Sequence, residues 1–129
     1  MLTLFEIAKN GIIGMRQGRR AMGVGNQCRY RSADGYKCFI GHSIPDHLYH
    51  RHMEGSISLL RESYPALGLP EGPLEALQRE CHDSNCAPRG EKFFDKAKEE
   101  SIKILQHMLS EEELAELERI PYVDTAASS

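Results

Sequence analysis

The stretch CRYRSADGYKCFIGHSIPDHLYHRHMEG, residues Cys28–Gly55, holds two of the four cysteines and four of the six histidines in this chain of 129 residues. Near its start, Asp34-Gly35 lies between two runs of β-forming residues. An Asp-Gly pair in that setting is typical of a hairpin turn, because glycine adopts the positive φ that tight turns need. We therefore predict a β-hairpin over about residues 26–40.

The two faces of this hairpin should differ in chemistry, because successive side chains of a strand point to opposite sides. The predicted inner face carries Cys28, Tyr30, Cys38 and Ile40, and the predicted outer face carries Arg29, Arg31, Lys37 and Phe39. The inner face would then pack on helices, and the outer face would present mostly positive charge.

Helices are predicted on both sides of the hairpin. Thr3 with Glu6 and Ser110 with Glu113 match the capping box, in which each side chain binds a backbone amide that the first helical turn leaves free. Apolar residues at helical spacing predict helices over about residues 4–17, 57–63, 74–81, 91–109 and 111–119. The predicted fold class is therefore α+β: a single small domain, residues 1–120, with four to five helices packed around one hairpin. Residues 121–129 are predicted to be a frayed tail.

Composition indicates a globular protein, with 40% hydrophobic and 27% charged residues. No apolar run approaches the roughly 20 residues that a membrane helix needs, and Glu6 and Lys9 interrupt the apolar N-terminus, which makes it a poor signal peptide. A cytoplasmic location is therefore expected. Residues 1–52 carry eight basic against three acidic side chains, whereas the remainder carries eight against sixteen. Such a dipolar molecule could present a basic face to an anionic partner, although solvated acidic helix faces explain the asymmetry equally well.

The central stretch also resembles a known group of proteins. Its motif residues are Cys28, Tyr30, Arg31, Asp34, Gly35, Cys38, Gly41, Ile44, Pro45, Asp46, Tyr49, Met53, Glu54 and Gly55. This series resembles a group of small uncharacterised proteins from tailed phages and bacterial prophages, and the resemblance extends to Leu77-Gln78 and His82-Asp83. It implies a phage-type setting inside a bacterial host and implies no activity. The histidines around 47–52, Cys81 and Cys86 depart from the group's pattern.

Thiol and imidazole side chains raise the alternative of a zinc site. The candidate ligands are Cys28, Cys38, His42, Cys81, His82 and Cys86. Against zinc, the Cys28–Cys38 and Cys81–Cys86 spacings are wider than those of common zinc motifs. Free cysteine is often a small buried hydrophobe, so reduced structural thiols are the preferred interpretation and no cofactor is expected.

The leading functional hypothesis is a non-enzymatic accessory protein that binds a host or phage macromolecule. The predicted contact residues are Arg29, Arg31, Lys37, Asp46 and Tyr49. No catalytic residue is predicted, because no local signature orders a nucleophile, a base and an oxyanion donor. His82-Asp83 is interpreted as a helix terminus rather than as part of a phosphohydrolase site.

Two alternatives stay open. One is a zinc-dependent or small-molecule site, enzymatic or not, between Cys38–Asp46 and Cys81–Cys86. The other is nucleic-acid binding through the basic hairpin face, where Tyr30 and Tyr36 could stack on bases. A homo-oligomer is compatible with each hypothesis, and no membrane partner is expected.

Overall fold

The computed structural model describes residues 2–23 and 28–123. Within these ranges the chain forms the helices α1 Leu4–Gly14, α2 Ile57–Ser63, α3 Leu74–Gln78, α4 Glu91–Leu105 and α5 Glu111–Glu118. Single turns of 3-10 helix cover Met15–Gln17, Gly41–Ser43, Arg51–Met53 and Pro65–Leu67. A π-helical turn, Arg79–Asp83, continues directly from α3. None of the described helices is long and apolar enough to cross a membrane.

Both predicted capping boxes are confirmed. The Thr3 hydroxyl accepts the N–H of Glu6, and the Glu6 carboxylate accepts the N–H of Thr3. Ser110 and Glu113 make the same reciprocal pair at the start of α5. These local signals fix where α1 and α5 begin, because each pair satisfies two amides that the helix itself cannot.

The predicted β-hairpin is wrong. The residues that the structure describes contain no strand or sheet, only the isolated bridges Met22–Cys28 and Arg31–Lys37. The chain does reverse direction here, because Ser32 donates its N–H to the carbonyl of Tyr36 at 2.9 Å. Asn26 and Gln27, at the start of the predicted first strand, lie outside the described residues. The described part of the chain is therefore helical, and the α+β class is not supported.

Two competing interactions explain why the bridge does not grow into a ladder. The Glu54 carboxylate accepts the backbone N–H of Tyr30 at 2.8 Å and that of Arg31 at 3.3 Å, and so replaces a neighbouring strand as the acceptor at these amides. Beyond Cys38 the chain bends into a helical turn, where His42 donates its N–H to the Cys38 carbonyl at 3.2 Å.

The predicted alternation of faces fails for the same reason. Cys38, Phe39 and Ile40 are consecutive, and all three are fully buried. Phe39, assigned to the outer face, packs on α1, where a side chain at Gly11 would overlap its ring. A tight bend can direct three successive side chains inward, whereas an extended strand lying on one layer of helices cannot.

The hydrophobic core lies between α1, α4 and the irregular central stretch, Cys28–Gly55. Its largest fully buried side chains include Phe39, Phe93, Phe94, Ile7 and Ile12. Beyond α5, the Pro121 carbonyl accepts Arg16 Nε–H at 3.0 Å and the Tyr122 ring lies 5.6 Å from Phe94. Residues 124–129 of the predicted tail lie outside the described part of the chain. Burial of an apolar core holds the central stretch in place although it has little regular secondary structure.

Candidate functional site

Glu54 is the centre of a polar network inside the motif. Besides the amides of Tyr30 and Arg31, its carboxylate accepts the hydroxyl proton of Tyr49 at 2.6 Å. Arg29 Nε lies 3.8 Å from the same carboxylate. The Tyr30 hydroxyl, in turn, donates to the Gly55 carbonyl at 2.7 Å. The segments around Tyr30 and Glu54 are thus joined by hydrogen bonds that regular secondary structure would otherwise supply.

Arg31 joins a second part of the motif to this network. Its guanidinium donates to the Ile44 carbonyl at 2.6 Å, pairs with the Asp46 carboxylate at 2.7 Å and lies 4.7 Å from the centre of the Tyr49 ring. Lys37 Nζ lies 3.4 Å from the same Asp46 oxygen. The hydrogen bond from Arg31, helped by the charge of Lys37, holds the pKa of Asp46 below its usual range.

The structure therefore brings all five predicted contact residues into one network. Most of their charge is satisfied within the molecule, since Arg29 lies near Glu54 while Arg31 and Lys37 share Asp46. The side chain of Arg31 is only 17% exposed, whereas that of Asp46 is 82% exposed. The network holds the bend together, and little uncompensated positive charge is left for a partner on this face.

A cleft of about 720 Å³ opens beside the network. The motif residues Cys28, Tyr30, Glu54 and Gly55 form one wall. Residues of α3 and its π-helical turn, Glu75, Gln78 and Asp83, form a second wall. The cleft contains three carboxylates and one arginine, Arg29, so its net charge is negative.

The π-helical turn positions the second wall. Ser84 donates its N–H to the Arg79 carbonyl at 2.7 Å, and this bond joins residues five apart, as in a π-helix, instead of four apart. Single π-helical turns are frequent at functional sites. Gln78, buried at the end of α3, accepts the N–H of Ile40 at 3.1 Å and donates to the Asp83 carboxylate at 2.7 Å. One glutamine thus ties the central stretch to the carboxylate that faces the cleft.

His82 is buried and both of its ring nitrogens have partners. Nε2 accepts the N–H of Ala21 at 2.9 Å, and Nδ1 lies 2.8 Å from the Asp83 carboxylate. Because a backbone N–H can only donate, Nε2 carries the lone pair and Nδ1 carries the proton that Asp83 accepts. Both hydrogen-bonding positions of the His82 ring are therefore filled.

Of the six predicted zinc ligands, the structure brings together only Cys28 and His82. With Asp83, which the prediction omitted, their ligand atoms lie within 4.8 Å of one another. Elsewhere in the described residues, Cys38 Sγ accepts the Gly41 N–H at 3.1 Å and His42 Nε2 lies 3.0 Å from Gln17 Oε1. The remaining two, Cys81 and Cys86, join no such cluster among these residues: Cys81 is buried and Cys86 is exposed.

The chemistry of this cluster suits structure better than metal binding. Burial, with the nearby Asp83 charge, raises the pKa of the Cys28 thiol to about 11, so this thiol is protonated at neutral pH. Burial likewise raises the pKa of Cys38 and of Cys81. A metal would need the Cys28 thiolate and a lone pair that His82 already gives to Ala21. The same occupied lone pair leaves His82 unable to act as the base of a Cys–His catalytic pair.

Sequence reasoning missed Glu54, Gln78 and Asp83 as site residues. Each lies in a segment on which the resemblance rests: Met53-Glu54-Gly55, Leu77-Gln78 or His82-Asp83. The motif thus pointed to these residues, but it gave no role to their side chains. Comparison with known proteins assigns none: no protein-family model matches the chain, and neither the curated proteins nor the solved structures give a significant match.

Proposed function

We propose that this chain is a non-enzymatic accessory protein of the phage or prophage type that binds a host or phage protein in the bacterial cytoplasm. One observation carries the proposal: the motif residues that hold the central stretch together, Cys28, Tyr30, Glu54 and Gly55, also line the cleft of about 720 Å³. A motif that shapes a cleft couples its fold to a surface that a partner can enter.

The charge of the cleft indicates the chemistry of the partner. Glu54, Glu75 and Asp83 outnumber Arg29, and Glu75 is exposed on α3. A lysine or arginine side chain of a partner protein would complement these carboxylates. The cleft is polar and holds no activated nucleophile among its described residues, since the Cys28 thiol is protonated at neutral pH. Binding is therefore favoured over catalysis.

The two alternatives draw weaker support. Nucleic-acid binding through the predicted basic face requires free positive charge, yet Arg31 and Lys37 both contact Asp46. A zinc site at Cys28, His82 and Asp83 requires the histidine to give up its hydrogen bond with Ala21.

Affinity capture with matched charge-reversal variants tests the proposal. Tagged wild-type protein, Glu75→Arg and Glu99→Arg are incubated with lysate of a prophage-bearing bacterium, and bound proteins are quantified by mass spectrometry. Glu99 is an exposed glutamate of α4 that does not line the cleft, so it provides the same change of charge elsewhere. We expect a protein that the wild type and Glu99→Arg retain and Glu75→Arg loses. Identical captures by all three folded proteins would contradict the cleft as the binding surface.

A further inference from the structure

A second groove, separate from the cleft, is lined by positively charged side chains. Its volume is about 310 Å³ and its walls carry Arg19, Arg20 and Arg89. Asn85, Cys86 and Phe93 of α4 also line the groove. None of the described residues that line this groove is an aspartate or a glutamate. A molecule with a formal net charge of −3 thus has a concave site that contains only positive charge.

The three guanidinium groups are only weakly neutralised. Arg20 Nη1 donates to the backbone carbonyl of Asp83 at 2.8 Å, which fixes the side chain but leaves its charge uncompensated. The Arg19 guanidinium lies 4.5 Å from the centre of the Tyr36 ring, and its ion pair with the half-exposed Asp34 is long, at 3.8 Å. Arg89 is exposed and has no hydrogen bond or ion pair with the described residues.

The wall of the groove is held by backbone contacts. Asn85 is buried, and its side chain donates to the Phe93 carbonyl at 3.1 Å and accepts the Ala87 N–H at 3.0 Å. The loop that carries Cys86 and leads to Arg89 is therefore tied to α4. Arg20 is tied to the π-helical turn through Asp83 in the same way. Because Arg20 is already held in place, it binds an anion with a smaller entropy cost than a flexible surface side chain does.

We propose that this groove binds the phosphate group of a small phosphomonoester. Guanidinium groups present planar pairs of N–H donors that match phosphate oxygens, and three of them complement a dianion better than a single carboxylate. The volume is at the lower end of ligand pockets, which suits a phosphate with a small organic substituent rather than an extended strand. The site shares no residue with the cleft and does not depend on the proposed function.

Calorimetric titration tests this site. Adenosine monophosphate, as a phosphomonoester probe, and inorganic phosphate are titrated into the wild type at constant ionic strength, with adenosine as the uncharged control. We expect both phosphates to bind and adenosine not to bind. Arg89→Gln should weaken binding about tenfold, as expected for the loss of one charge-assisted hydrogen bond. Arg51→Gln removes an exposed arginine outside the groove and should leave the affinity unchanged.

Cys86 supplies an independent measurement, because it is the exposed one of the four cysteines and lines the groove. Saturating adenosine monophosphate should slow the reaction of Cys86 with a maleimide several-fold in the wild type. In Arg89→Gln the nucleotide should have little effect on this reaction. Absence of binding at millimolar phosphate, or equal affinity of wild type and Arg89→Gln, would overturn the proposal. So would an oligonucleotide without terminal phosphates that binds more tightly than adenosine monophosphate and depends on Arg89, because the groove would then contact a nucleic-acid backbone.

Discussion

His82 Nε2 accepts the backbone N–H of Ala21 at 2.9 Å, which joins the π-helical turn to a segment 61 residues earlier in the chain. Both residues are fully buried. The amide of Ala21 is therefore shielded from water, and among the described residues the imidazole ring of His82 is its acceptor. This contact gives the His82-Asp83 pair of the sequence a structural role, since Asp83 accepts the proton on the other ring nitrogen.

Replacement of His82 by leucine should destabilise the protein strongly. Leucine preserves apolar packing but leaves the buried amide of Ala21 without an acceptor, and Asp83 loses a donor. We expect a loss of about 2–4 kcal/mol in the free energy of unfolding, measured by urea denaturation. His47→Leu, at an exposed histidine, is the control and should change stability little. A His82→Leu protein as stable as the control would show that water can replace the ring at Ala21.

His42 should make stability depend on pH. Burial, and secondarily the charge of Lys37, lowers its pKa to about 4. The unfolded chain, in which this ring titrates near its usual pKa of about 6.5, then binds more protons than the folded chain between these values. Stability therefore falls as the pH decreases through this window. Between about pH 7.5 and pH 4.5 we expect His42 to account for a loss of about 2–3 kcal/mol.

The contribution of His42 is isolated by comparison with His42→Gln, since carboxylates and exposed histidines titrate in both proteins. Glutamine has an amide N–H that can still donate to Gln17 Oε1, the partner of His42 Nε2 at 3.0 Å. Urea denaturation at both pH values should show a smaller loss for His42→Gln on acidification. Parallel losses in the two proteins would mean that the folded ring is protonated as easily as the unfolded one.

The sequence predicted the parts of the fold that depend on neighbouring residues. The capping boxes at Thr3 and Ser110 were correct because both partners lie within one helical turn. The hairpin was wrong because its decisive competitor, Glu54, lies 24 residues from Tyr30 and takes the amide that a strand partner would have used. The alternation of side chains along a predicted strand contains no information about an acceptor so distant in sequence.

The candidate site divides in the same way. Arg29, Arg31, Lys37, Asp46 and Tyr49 do lie in one network, but their predicted role as partner contacts stays a prediction. Their mutual neutralisation depends on the bend at Ile44, whose carbonyl accepts from Arg31, and could not be inferred from spacing. The zinc hypothesis stays a prediction, and the spacing of cysteine and histidine could not reveal that Cys28 lies near His82 and Asp83 or that the Nε2 lone pair of His82 already accepts a hydrogen bond.

The Arg31 network predicts that Arg31→Lys is not a conservative substitution. The guanidinium contacts the Ile44 carbonyl, Asp46 and the Tyr49 ring at once, which the single ammonium group of lysine cannot reproduce. We expect a loss of about 2 kcal/mol in the free energy of unfolding. Asp46→Asn should cost much less, because Asp46 is mostly solvent-exposed. Equal losses in both variants would indicate that the ion pair, rather than the buried end of Arg31, supplies the stability.

Gly14→Ala should destabilise this protein, although alanine is ordinarily the better helix former by about 1 kcal/mol. A Cβ at Gly14 would overlap the His42 ring, which is held by Gln17. Overpacking of this kind costs about 1–3 kcal/mol, so we expect a net loss in the free energy of unfolding. In a His42→Ala background the ring is absent, and the same substitution should be neutral or stabilising. A double-mutant cycle measured by urea denaturation separates the two effects. Equal effects of Gly14→Ala in both backgrounds would show that the close packing of His42 on α1 does not require a glycine.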